Sequence, residues 1–98
     1  MARHDVWRER GGEVLLLDCQ SDLLSHLATR FVAPLLRDDG SVRIPRLQPI
    51  FELEGERYYM ATHLAANIAA RALHERVTSL EHEHDRIMAA FDMLLTGV

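Results

Sequence analysis

The sequence predicts a mainly β fold, a small antiparallel sheet or barrel followed by one long C-terminal helix. Three observations carry this. Short apolar runs alternate with turn residues over the first sixty positions, which is the rhythm of antiparallel strands. Glu54-Gly55 sits between two strand-like runs and marks a tight hairpin. After Leu80, apolar residues recur with the period of a helix.

Each element follows in order. His4 to Glu9 holds Val6 and Trp7 and reads as a first strand. Gly11-Gly12 gives a turn that tolerates positive φ. Glu13 to Gln20 contains the continuous run Val14-Leu15-Leu16-Leu17, which predicts a strand buried on both faces. Ser21 and Asp22 end it. Arg30 to Leu36 reads as a third strand, and Pro34 places it at a sheet edge or a bulge because proline has no N–H to donate. Arg37 to Ser41 is a loop with Asp39-Gly40 as its turn pair. The hairpin pairs Ile50 to Leu53 with Arg57 to Met60. His63 to Leu73 is alanine-rich, so propensity alone predicts helix there. Thr78 and Glu81 stand at capping-box spacing. Leu80, His84, Ile87, Phe91, Leu94 and Leu95 then form one stripe with Met88 beside it, and Gly97 suits the C-terminal cap. Thr96-Gly97-Val98 is expected to project past the helix.

The composition narrows the function. With 98 residues, a single domain spanning 1–98 is expected. All eleven basic residues are arginine, which removes every lysine-dependent mechanism. The net charge is -4 and the pI about 5.8. Residues 1–46 balance seven Arg against seven acids, while residues 47–98 set four Arg against eight. Such a chain has no electrostatic footprint for nucleic acid or an anionic membrane. The lone Cys19 fits a reducing compartment and reads as a small buried hydrophobe rather than a nucleophile. No run is long enough to span a membrane, and a cytoplasmic location is expected.

The chemistry-bearing clusters favour ordinary readings. His82 and His84 point about 200° apart on a helix, so they do not chelate one ion from one face. His4, His26, His63 and His74 stand isolated and read as surface or partly packed residues. Glu52, Glu54 and Glu56 read as a solvated strand face, and Trp7, Tyr58 and Tyr59 as core or sheet-face aromatics. Ile87, Met88 and Phe91 read as helix core, and Arg8, Arg10, Arg43 and Arg46 as solvated. No nucleophile elbow, GxGxxG or phosphate loop occurs. No catalytic residue, metal site or cofactor is therefore expected.

Asp18-Cys19-Gln20-Ser21-Asp22-Leu23-Leu24 resembles the D-x-Q-S-D stretch of the CcdB family, toxins of plasmid-addiction modules. Pro34-Leu35 is similar to that family's V-x-P-L strand. Gln48 to Tyr58 is similar to its Y-P-V-V-H-I hairpin and aromatic return strand, and Ala61-Thr62 to the end of that strand. His82 and Ile87 fall on its last helix, and Gly97-Val98 resembles a terminal Gly-Ile. The resemblance covers essentially the whole chain, with a short deletion near Asp38 to Arg46.

The resemblance implies a CcdB-like, SH3-like small barrel with one long helix, and extended chain rather than helix over His63 to Leu73. It implies a homodimer without enzymatic activity, which binds the DNA gyrase A subunit, traps the cleaved-DNA complex and is neutralised by a CcdA-like antitoxin. By position, Thr96, Gly97, Val98, Asp92 and Leu95 match the target-binding surface. Leu23, Leu24 and Asp92 match the antitoxin-binding surface, although Leu23 and Leu24 equally suit a cover for the sheet end. Thr96 departs from the family's Trp, whose ring stacks on a partner. Two other readings follow: a binding protein of this fold with an altered or lost target, and a ribonuclease like the related MazF and Kid toxins.

Overall fold

The computed structural model describes residues 2–97. Seven strands and one helix follow in order: β1 Asp5–Glu9, β2 Leu15–Asp18, β3 Thr29–Arg37, β4 Ile50–Leu53, β5 Glu56–Met60, β6 Ala66–Ala69, β7 Leu73–Ser79 and α1 His84–Thr96. Every strand pair is antiparallel, in the order β4-β5-β3-β2-β1-β7, with β6 also on β3. This is the expected curled antiparallel sheet with a C-terminal helix.

β2 explains the curl. Leu15 and Leu17 point into a core with Val6, Ala33, Leu35 and Phe51, which the helix closes with Ile87, Ala90 and Phe91. Leu16 points the other way, against Val32 and Leu73 with Trp7 and Ile68. A continuous leucine run thus serves two cores, and two-sided burial is what such a run predicts. Ile87 and Phe91 are at most 9% exposed, and their burial contributes roughly 3–6 kcal/mol to docking the helix. Arg86 adds orientation. Its Nη2 donates to the Ile50 carbonyl at 2.8 Å, its Nη1 lies 3.2 Å from Glu83, and its guanidinium sits over the Phe51 ring.

The expected hairpin forms. Glu54 and Gly55 have φ of 52° and 79°, the paired positive values of a two-residue hairpin turn, and Glu52, Glu54 and Glu56 are exposed. His63 to Leu73 is not helical as propensity predicts. It is a 3-10 turn at Thr62–Leu64, strand β6 and a 3-10 turn at Ala70–Ala72, as the resemblance implies. Tertiary pairing with β3 overrides the alanines' preference.

Four expectations need correction. β3 is a central strand, not an edge: it pairs with β2 on one side and with β6 and β5 in series on the other. Pro34 fits there because the Pro34 carbonyl accepts from Ala61 N–H at 2.8 Å, beyond the β6 pairing. The missing N–H of Pro34 faces the same side, towards Ala61, whose carbonyl accepts from Leu64 N–H at 2.9 Å instead. Thr78 is not a helix cap, because it lies in β7. Instead a 3-10 turn at Glu81–Glu83 precedes α1, with Leu80 at its N-cap position, and Ser79 Oγ accepts from Glu81 N–H at 3.2 Å. Met88 is exposed rather than core, and the end of the helical stripe, Leu94 and Leu95, is exposed with it. Arg43 is not solvated: its side chain is only 13% exposed, stacks on Tyr59 at 3.7 Å and pairs with Asp39 at 2.8 Å. Hydrogen bonds from Ser41 and Arg43 hold the Asp39 carboxyl down at about 2.

Candidate partner-binding site

The helix tip is built from its own last turn. Thr96 belongs to α1 rather than projecting past it, and its Oγ1 donates to the Asp92 carbonyl at 2.7 Å. Gly97 adopts the left-handed conformation, φ 76° and ψ 17°, and donates its N–H to the Met93 carbonyl at 3.0 Å. Glycine enters that conformation without a Cβ penalty, so it ends the helix and turns the chain. Leu95 is 77% exposed on this tip, and Asp92 and Thr96 are exposed beside it. Val98 lies outside the described residues.

Leu23 and Leu24 occupy a separate 3-10 turn, Asp22–Leu24, where Leu23 is 88% exposed. The stretch that precedes them is a structural joint. Asp18 Oδ1 accepts from Gln20 N–H at 3.1 Å, and its Oδ2 pairs with Arg30 at 2.6 Å, with both side chains at most 1% exposed. Burial pushes the Asp18 carboxyl up, and the hydrogen bond from Arg30 opposes it. Gln20 spans the bend, donating to the Leu24 carbonyl and accepting from Phe31 N–H, both at 2.9 Å. Ser21 Oγ caps the turn through Leu23 N–H at 3.2 Å. Asp22 Oδ1 accepts from Arg3 N–H at 2.8 Å. Asp18, Gln20, Ser21 and Asp22 thus fix the turn that presents the two leucines. Cys19 is half-buried against the core, where burial pushes its thiol up, as an inert cysteine requires.

A family model described as CcdB protein matches residues 3–97. The chain belongs to the CcdB family. Members of this family are toxins of toxin–antitoxin modules. The comparison with curated proteins gives no match. The CcdB match spans both candidate surfaces, the turn carrying Leu23 and Leu24 and the helix tip carrying Asp92, Leu95, Thr96 and Gly97. No helix of the described residues is long and apolar enough to cross a membrane.

Sequence reasoning missed what joins these regions. His4 is not isolated. It is 2% exposed, has φ 74°, and its Nε2 lies 2.8 Å from His84 Nδ1. Its N–H donates to the Asp18 carbonyl at 2.6 Å, and its carbonyl accepts from Leu80 N–H at 2.7 Å. Residue 4 therefore ties the end of β2 to the start of the helical segment. The two histidines stand eighty positions apart, so no local spacing signals the pair.

Burial, then Arg3 and His84, lower the His4 pKa from 6.5 to about 4. The folded state therefore favours neutral His4. Its contribution to stability is fully present above pH 6.5 and is lost as pH falls towards 4. The urea midpoint should drop over that window. In His4→Asn, which tolerates the positive φ, the midpoint should change less between pH 6.5 and 5. Equal slopes in the two proteins would refute the assignment to His4.

Proposed function

We propose that this chain is a toxin acting as one domain in the cytoplasm, where it binds the A subunit of DNA gyrase and traps the cleaved-DNA complex. In this reading it is a homodimer, works by binding rather than catalysis, and is neutralised by a CcdA-like antitoxin. The observation that carries the reading is Leu95, held 77% exposed on a rigid helix tip within a chain of the CcdB family. An exposed leucine on a helix whose other face is locked to the sheet is pre-organised for a partner, so little ordering entropy opposes docking. Gly97 supports the same role, since a residue without Cβ lets a partner surface approach the backbone. Leu23 and Leu24, on their fixed turn, supply the second apolar surface and, with Asp92, suit the antitoxin. Val98 completes the tail in this proposal.

One observation favours a second reading, in which the target has changed. Thr96 spends its hydroxyl on the Asp92 carbonyl and has no ring to stack on a partner. Induced expression separates the two readings. Growth arrest relieved by overproduced gyrase A subunit supports the gyrase toxin. Arrest unchanged by extra gyrase A favours a different target, and harmless expression of a folded dimer removes the toxin reading.

A further inference from the structure

Among the described residues, seven of the eleven arginines lie within 4.0 Å of a carboxylate. Among the described residues, Arg10 and Arg71 have no such ion pair, and they meet. Arg10 N–H donates to the Ala72 carbonyl at 2.8 Å, and its Nε to the Arg71 carbonyl at 3.5 Å. With Ala69 and Ala72 they line an open hollow of about 410 Å³ at one corner of the sheet. Both arginine side chains belong to exposed residues, while the alanines between them are half-buried.

Several properties of this corner point to one kind of occupant. Two uncompensated guanidiniums in a chain of net charge -4 make a local positive spot, and planar guanidinium matches carboxylate in a two-pronged pair. The floor between them is alanine methyl, low enough for an extended backbone to lie close. A small anion would use the arginines but not the floor. A nucleic acid needs many cations along its backbone and would be repelled by the rest of the surface. The backbone bond from Arg10 to Ala72 continues the β1–β7 pairing, so the site is anchored to the sheet rather than carried on a mobile loop. We propose that Arg10 and Arg71 form a docking site for an extended acidic segment of a partner protein, with small apolar side chains between its carboxylates. The site uses neither Leu95 nor the helix tip and does not rest on the gyrase reading.

Trp7, the only tryptophan of the chain, and Ile68 both pack against the buried cluster of Leu16, Val32 and Leu73, and Ile68 and Leu73 are the chain neighbours of Ala69 and Ala72. Its fluorescence is the natural reporter. The full chain is titrated with an alternating Glu-Ala peptide, its Lys-Ala counterpart and a dT oligonucleotide at low salt. The expected result is a saturable change with the Glu-Ala peptide alone. Binding should weaken at least about tenfold in Arg71→Glu and stay within about twofold in Arg46→Glu, which changes the same charge on another exposed arginine without an ion pair. Arg71→Ala, on an exposed 3-10 turn, repeats the test without charge reversal. Equal weakening by Arg46→Glu, preferential binding of the oligonucleotide, or no saturable change with the Glu-Ala peptide would each overturn the proposal.

Discussion

Asp18→Ala should destabilise the fold by about 3–5 kcal/mol, a large part of the stability of a domain this size. Asp18 and Arg30 are a buried ion pair, at most 1% exposed. Removing the carboxylate strands a guanidinium whose Nη1 already lacks a partner among the described residues, and an unpaired buried charge costs more than the pair contributes. The variant also releases Gln20 N–H, which loosens the bend carrying Leu23 and Leu24. A double variant, Asp18→Leu with Arg30→Met, should recover part of the loss, because apolar groups leave no charge to desolvate while Gln20 N–H stays without its acceptor. Urea titration at one fixed protein concentration measures both. A single variant within about 1 kcal/mol of the parent would show that the pair is not the strut described.

Leu95→Asp should abolish growth arrest while leaving the fold intact. Leu95 is 77% exposed, so the substitution should move stability by no more than about 0.5 kcal/mol. At a partner interface, by contrast, a charge replaces an apolar anchor, and loss of about 2 kcal/mol or more is the usual hot-spot cost. That is roughly a 30-fold loss of affinity at room temperature. Thr96→Trp should act in the opposite sense. It removes the hydroxyl held by the Asp92 carbonyl and supplies a ring able to stack on a partner's cation. Growth arrest should then appear at lower induction. An undiminished arrest in Leu95→Asp, with the far-ultraviolet spectrum and unfolding midpoint of the parent, would place the gripping surface elsewhere.

Most of the fold was legible because its signals are local. The leucine run of β2 announced two-sided burial, and Glu54-Gly55 announced its hairpin. The alanines of His63 to Leu73 misled for the opposite reason. Propensity is a local preference, and the strand there exists only because β3 offers a distant edge. Pro34 followed the same logic: the rule that proline avoids ladder positions holds, but the gap it occupies lies between two non-adjacent strands. At the candidate site, the sequence pattern Asp18 to Leu24 was visible, while its physical meaning was not. Asp18 reaches Arg30, Gln20 reaches Phe31 and Asp22 reaches Arg3, none of which spacing reveals. The His4–His84 link and the stacked Arg43 are likewise products of folding across distant segments.

The most direct measurement of the proposed function is a DNA cleavage assay with purified gyrase, supercoiled plasmid and this protein. Trapped complexes release linear DNA when the gyrase is denatured and digested. The expected result is linear DNA that rises with added protein, disappears with Leu95→Asp and increases with Thr96→Trp. The contradicting result is no linear DNA at any concentration of a folded protein, with Thr96→Trp equally inactive.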